Sequence, residues 1–96
     1  MAIIPSMIVR SLAGRDRGEL FYVIGTEGVY ALLANGRNRT VEHPKRKKLR
    51  HLEAVLQIET DVARCIATGK EVQNAQIRRD LAKVRQSLRS QNQGGQ

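Results

Sequence analysis

Short runs of apolar residues, interrupted by glycine-containing turns, cover the first third of the chain. Residues 7–12 and 19–25 are rich in Ile, Val, Leu, Phe and Tyr, and the glycines between them allow the positive φ angles of a tight loop. A third apolar run, residues 29–34, follows the turn at residues 25–28. This pattern predicts three short strands, the first two of which pair in antiparallel fashion.

The dipeptide Asn35-Gly36 is a strong signal for a hairpin, because a type I′ turn needs positive φ at both of its central residues. It predicts a fourth strand near residues 39–42. Residues 54–58 suit either a fifth strand or a buried helical turn, and the pattern does not decide between the two. Four or five short strands in so little sequence predict a small SH3-like barrel over residues 1–58.

The apolar spacing becomes helical after Glu59. Thr60 is suited to cap a short helix and Gly69 to end it, whereas Asn74 has the position of a cap for a longer helix. The apolar stripe of the longer helix consists of Ile77, Leu81, Val84 and Leu88. Residues 90–96 have no apolar pattern, so we expect a disordered tail there.

These elements predict a mainly β fold with a C-terminal α part. The barrel occupies residues 1–58, a helical extension residues 59–89, and the tail residues 90–96. A chain of 96 residues is enough for one domain, which buries roughly 60 to 65 per cent of the surface that its unfolded chain exposes. A domain of this size has little room for a deep catalytic cleft.

The charge of the chain indicates the class of its partner. There are 17 Lys and Arg residues against 9 Asp and Glu, which gives a net charge of +8. A field of this sign attracts nucleic acids and anionic membranes before any specific contact forms. No apolar run approaches the ~20 residues of a membrane span, and the N-terminus lacks the pattern of a signal peptide. We therefore expect a soluble cytoplasmic protein without a membrane partner.

The first loop, Gly14-Arg15-Asp16-Arg17-Gly18, has the composition of a phosphate-binding loop. Glycines lack a Cβ atom, so a nucleic-acid backbone can approach closely, and an arginine fork binds phosphate oxygens bidentately. We expect Asp16 to hold the loop by accepting hydrogen bonds from nearby backbone amides. The alternative is a plain hairpin turn with solvated arginines.

A second cationic stretch, the basic segment, covers residues 43–51. Five of the six residues from Lys45 to Arg50 are cations, and Arg37 and Arg39 lie just upstream. Their mutual repulsion favours an anionic partner, although a charge run of this kind is also typical of a solvated face. In a eukaryote the same hexamer would fit a nuclear address.

Two blocks of the sequence resemble a known family. Residues 9–18, VRSLAGRDRG, are similar to the KOW motif, and residues 43–52, HPKRKKLRHL, follow at the distance typical of the family. The family is that of small bacterial KOW-domain RNA-binding proteins, which are themselves similar to KOW-barrel large-subunit ribosomal proteins of archaea and eukaryotes. The resemblance implies an SH3-like barrel that binds RNA, with large-subunit ribosomal RNA and ribosomal-protein neighbours as partners.

The expected RNA contacts combine this resemblance with the positions of the cations. They lie in the first strand, the glycine-rich loop, the following hairpin and the basic segment. These residues are Arg10, Gly14, Arg15, Arg17, Gly18, Arg37, Arg39, Lys45, Arg46, Lys47, Lys48, Arg50 and His51. We expect Arg78 and Arg79 of the longer helix to add to the same surface.

The sequence contains no pattern typical of a catalytic, metal-binding or cofactor-binding site. No Ser or Thr has His and Asp partners at catalytic spacing, and His43, His51 and Cys65 do not match the spacing of a zinc site. Phe21 and Tyr22 alternate within one strand, so we expect one in the core and the other partly exposed. A single exposed ring is too little for a base-stacking platform. We predict a non-enzymatic protein, without a cofactor or small-molecule substrate, that binds folded RNA.

Two other functions stay open on the sequence alone. KOW barrels of elongation factors also contact proteins, so the chain is alternatively a protein-interaction module in transcription elongation. The apolar stripe of the longer helix would then be its docking surface. Non-specific binding of duplex DNA is the third alternative.

Overall fold

Five strands precede two helices along the chain. The structure, a computed structural model, describes residues 2–94. A 3-10 turn, Leu49–His51, lies between the fourth and fifth strands. The strands are β1 (Ile8–Ser11), β2 (Leu20–Glu27), β3 (Tyr30–Ala34), β4 (Lys45–Lys48) and β5 (Leu52–Leu56), and the helices are α1 (Asp61–Thr68) and α2 (Asn74–Gly94). The predicted class, mainly β with a C-terminal α part, is confirmed.

The strands form one antiparallel sheet in the order β4-β3-β2-β1-β5. In a flat sheet its two edge strands would lie about 19 Å apart. Only Leu49–His51 joins β4 to β5, and four Cα steps reach at most about 14 Å. The sheet therefore curls until its edges approach each other at this end. Pairing between β4 and β5 is not among the pairings of the described residues, so a closed SH3-like barrel stays a prediction.

Apolar side chains pack on both faces of the sheet. On one face, Ile8, Leu20 and Tyr22 lie in a cluster with Ile77 and Leu81 of α2. The cluster on the other face consists of Val9, Phe21, Val23, Ala31, Leu33 and Leu52. The expectation that either Phe21 or Tyr22 is partly exposed is therefore wrong, because helix α2 covers the face that carries Tyr22 and both residues are at most 1% exposed.

The hydroxyl group of Tyr22 connects the sheet to both helices. It donates a hydrogen bond to Asp80 Oδ2 at 2.9 Å and lies 3.0 Å from Thr60 Oγ1. Burial, together with the nearby carboxylate of Asp80, raises the pKa of Tyr22 far above its usual value. A polar group at this depth is tolerated because it is hydrogen-bonded.

The fourth strand differs from the sequence-based prediction. Residues 39–42 are not a strand, because the Asn35 side chain reorganises the predicted hairpin: its Oδ1 accepts hydrogen bonds from the backbone amides of Arg37 and Arg39. The chain makes a longer loop and returns as β4 after Pro44. Residues 52–56 are a strand paired with β1, so the strand alternative holds for residues 54–56, whereas Gln57 and Ile58 belong to neither a strand nor a helix.

The helix boundaries follow the predicted signals in part. Thr60 caps α1 by accepting a hydrogen bond from the Ala63 amide, and Gly69 ends it with φ 73°, both as predicted. Helix α2 begins at Asn74 and continues past Arg89 to Gly94, where a disordered tail was predicted. Elongation of an existing helix by polar residues costs little. Residues 95 and 96 of the expected tail lie outside the described residues.

Within the described part of the chain, neither helix combines the length and the hydropathy that a membrane span requires.

Candidate nucleic-acid interface

The loop between β1 and β2 is built around the buried carboxylate of Asp16. Oδ1 accepts hydrogen bonds from Ser11 Oγ at 2.7 Å and from Lys47 Nζ at 2.9 Å. Oδ2 forms an ion pair with Lys45 Nζ at 2.8 Å. The expected bonds from local backbone amides to this carboxylate are therefore replaced by bonds from side chains, two of them 29 and 31 residues further along the chain. The loop is thereby fastened to β4.

The environment of Asp16 keeps its side chain ionised. Burial alone would raise the pKa of this carboxyl, but the bonds from Lys45, Lys47 and Ser11 lower it far below its usual range. Lys47 Nζ also donates to the carbonyl oxygen of Ala13 at 2.7 Å, and the side chain of Lys47 is only 9% exposed. We call Ser11, Asp16, Lys45 and Lys47 the Asp16 cluster.

The basic segment is divided by the alternation of β4. Successive side chains of a strand point to opposite faces, so Lys45 and Lys47 reach Asp16 while Arg46 and Lys48 point away from it. The Arg46 guanidinium lies 4.1 Å from the centre of the Tyr30 ring, a cation-π contact. The run of cations therefore has two roles, one internal and one on the surface.

Arg15 and Arg39 share a surface depression of about 280 Å³ with Lys45. Gly14 and Gly18 border the loop with φ of 86° and 89°, so both adopt the left-handed backbone that favours glycine. Arg15 and its neighbour Arg17 are exposed. The first depression thus brings together predicted contacts from the glycine-rich loop, the β3–β4 loop and β4. Its lining residues are Arg15, Asp16, Glu19, Phe21, Asn38, Arg39 and Lys45.

A second depression, of about 380 Å³, lies between the sheet and α2. Glu19 belongs to both depressions, so they adjoin. Arg78 lines the second one as the sequence suggested, whereas Arg79 lines neither. Arg85 was not among the predicted contacts, although its distance of seven residues from Arg78 places the two on one helix face. The lining residues are Gly18, Glu19, Leu20, Asn35, Arg37, Arg78 and Arg85.

The β3–β4 loop is held against the first turn of α2. Arg78 Nη1 donates to the carbonyl oxygen of Gly36 at 2.5 Å, and Asn74 Oδ1 accepts from the Val41 amide at 2.9 Å. Gly36 has φ 77°, and a Cβ atom there would lie 2.4 Å from the carbonyl oxygen of Asn74. This packing fixes the loop that carries Arg37 and Arg39.

The remaining predicted contacts lie apart from the two depressions. Lys48 and Arg50 line a different, largely apolar surface with Val29 and Leu49 at the tip of the β2–β3 hairpin. Arg10 forms an ion pair with Glu53 on β5, at 2.7 Å. His51 is half-buried in the 3-10 turn. The structure therefore gathers only some of the predicted residues into one surface.

Among residues 2–94, no group of three or more His, Cys, Asp and Glu side chains is placed to hold a metal ion.

Comparison with protein-family models and with curated proteins finds no match to this chain. The resemblance to KOW proteins therefore stays a prediction carried by the two sequence blocks.

Proposed function

We propose that this protein is a non-catalytic RNA-binding protein that docks on folded RNA through its phosphates. The observation that carries the proposal is the state of four arginines on two adjoining loops. In the part of the chain that the structure describes, none of their side chains has an ion-pair or hydrogen-bond partner. They are Arg15, Arg17, Arg37 and Arg39.

The Asp16 cluster explains why these arginines lack a carboxylate partner. Asp16 lies between Arg15 and Arg17 in the sequence, but its oxygens are taken by Lys45 and Lys47. The arginines repel one another, and a phosphate relieves that repulsion through bidentate, charge-assisted hydrogen bonds. The two lysine ammonium groups bind Asp16, whereas Arg15, Arg17 and Arg37 are exposed and Arg39 is half-buried.

The scarcity of open aromatic rings supports folded RNA as the target. Phe21 and Tyr22 are buried, and Arg46 covers one face of Tyr30. Single-stranded RNA is bound mainly by stacking bases on several aromatic side chains, whereas folded RNA is recognised through shape, phosphates and 2′-hydroxyls. By its resemblance to KOW proteins, the RNA is large-subunit ribosomal RNA and the protein acts in the cytoplasm on the ribosome.

The test is the double substitution Arg15→Gln/Arg17→Gln, assayed by fluorescence anisotropy with labelled large-subunit ribosomal RNA fragments. Loss of two charge-assisted hydrogen bonds predicts binding at least about tenfold weaker, by a similar factor for every fragment, because phosphates carry no base sequence. The matched control is Arg79→Gln/Arg89→Gln, which removes the same charge from exposed helix positions that form no ion pair within the described residues and lie outside both depressions. If the two variants lose equal affinity, the loop is only a turn.

The alternative is a protein-interaction module in transcription elongation, with the apolar stripe of α2 as its docking surface. Most of that stripe is not accessible to a partner. The stripe is packed inside this chain, since Ile77, Leu81 and Val84 are all buried against the sheet. Only Leu88 of the stripe is half-buried. A partner that stays bound after nuclease treatment at high salt would restore this alternative.

A further inference from the structure

Three arginines from distant parts of the sequence meet in the second depression. Arg37 comes from the β3–β4 loop, whereas Arg78 and Arg85 come from α2. Residues seven apart on a helix lie on one face, about 10 Å from each other along the axis. Gly18, Glu19, Leu20 and Asn35 complete the lining. The depression is therefore a concave surface with guanidinium groups on two of its sides.

The positive charge of this surface is not balanced within the described residues. Arg78 Nη1 donates to the neutral carbonyl of Gly36, which fixes the side chain but leaves its charge. Arg37 and Arg85 form no ion pair, and Glu19 is the only acidic residue in the lining. Arg85 is half-buried, and a charged group that loses water without gaining a partner is destabilised. A bound anion would remove that cost.

We infer that the second depression binds a phosphodiester group of the RNA backbone, so that one RNA strand contacts both the sheet and α2. This inference rests on the proposed function. The strand runs from the first depression, at Arg15 and Arg39, to the second, at Arg37 and Arg85. Glu19 lines both depressions and its negative charge repels phosphate, so the two phosphates are placed one on each side of this residue. Helix α2 is thereby part of the binding surface and not only a cover for the core.

The variant Arg85→Gln tests this inference. Arg85 makes no hydrogen bond or ion pair within the described residues, so the variant is expected to fold with an unchanged circular dichroism spectrum. We expect its affinity for labelled large-subunit ribosomal RNA fragments to fall about tenfold, the effect of one lost charge-assisted hydrogen bond. The matched control, Arg79→Gln, removes the same charge from the solvent side of α2 and should cost less than about threefold, because it leaves the pocket intact.

The outcomes separate this inference from the proposed function. If the unmodified protein binds RNA and Arg85→Gln binds equally well, the phosphate site in the second depression is overturned and the proposed function stands. If Arg15→Gln/Arg17→Gln and Arg85→Gln both weaken binding beyond their controls, both are supported. If the unmodified protein does not bind RNA, both fail.

A second measurement distinguishes an RNA phosphate from a free one. In an NMR titration with inorganic phosphate, we expect the Nε–Hε signal of Arg85 to shift, and the signal of Arg79 to stay unchanged. Added RNA should then displace the inorganic phosphate. Phosphate that stays bound in the presence of RNA would overturn the assignment to the RNA backbone, and an Arg85 signal that phosphate does not move would overturn the pocket.

Discussion

At the scale of single residues, Asp16 determines which cations act inside the protein and which face solvent. Its carboxylate binds Lys45 and Lys47, two residues that the sequence analysis assigned to RNA. Lys47, at 9% exposure and with two protein acceptors, has a structural role. The run of cations alone could not show which lysines are internal. That depends on β4 being a strand and on Asp16 lying against one of its faces, and both are features of the folded chain.

Replacing Asp16 by Asn is expected to lower the free energy of unfolding by about 3 kcal/mol, because a buried ion pair that loses one partner leaves uncompensated charge. The measurement is urea unfolding followed by circular dichroism at neutral pH. The control Glu53→Gln removes the partner of Arg10, an exposed pair, and should cost less than about 1 kcal/mol. Equal losses in the two variants would show that the Asp16 cluster is not a stabilising centre.

The stability difference between the native chain and Asp16→Asn should depend on pH. The pKa of Asp16 is lowered in the folded state, so its carboxylate stabilises the fold at pH values above its unfolded pKa of about 4, and this contribution is lost as the pH falls below that value. The difference in unfolding free energy between the native chain and Asp16→Asn should therefore shrink in acid. A difference that does not change with pH would contradict the ion-pair account.

At the scale of elements, the contact between the β3–β4 loop and α2 positions half of the candidate surface. Gly36 lies directly against Asn74 and Arg78, with no space for a side chain. Because Arg37 and Arg39 follow Gly36 in the chain, the way this loop packs on the helix fixes where these two arginines can reach. Gly36 therefore affects both the stability of the fold and the positions of the arginines in the candidate surface.

Replacing Gly36 by Ala is expected to lower the free energy of unfolding by about 3 kcal/mol, because a positive φ and steric overlap with the helix add together. Gly28 provides the matched control, since it also has a positive φ but open space around it. Gly28→Ala should cost about 1 kcal/mol. The comparison is made by urea unfolding, and equal losses would show that the helix contact at Gly36 contributes nothing.

Elements with strong local signals were predictable from the sequence, and elements fixed by distant partners were not. Thr60 and Gly69 bound α1 as predicted, since a cap depends on neighbouring residues. The lysine-rich strand β4 was missed because its residue types disfavour strands and its stability depends on Asp16. For the site, the glycine-rich loop was predictable, whereas the meeting of Arg37 with Arg85 depends on tertiary packing.

At the scale of the whole molecule, the cations that give the net charge of +8 differ in whether a carboxylate neutralises them. Several cations are paired internally or at the surface, such as Lys47 with Asp16 and Arg10 with Glu53. The arginines around the two adjoining depressions have no carboxylate partner among the described residues. They are Arg15, Arg37, Arg39, Arg78 and Arg85, and the exposed Arg17 lies in the same loop as Arg15. This set, rather than the total charge, is what an RNA would meet.

The most direct test of phosphate-driven RNA binding is the salt dependence of affinity for large-subunit ribosomal RNA fragments. Contacts to about six phosphates predict a slope of about −4 to −5 in a plot of log affinity against log salt concentration, because each contact releases condensed counterions. Fluorescence anisotropy over a series of potassium chloride concentrations provides the slope. A slope of about −4 or steeper would support the account, and a slope near zero would contradict it.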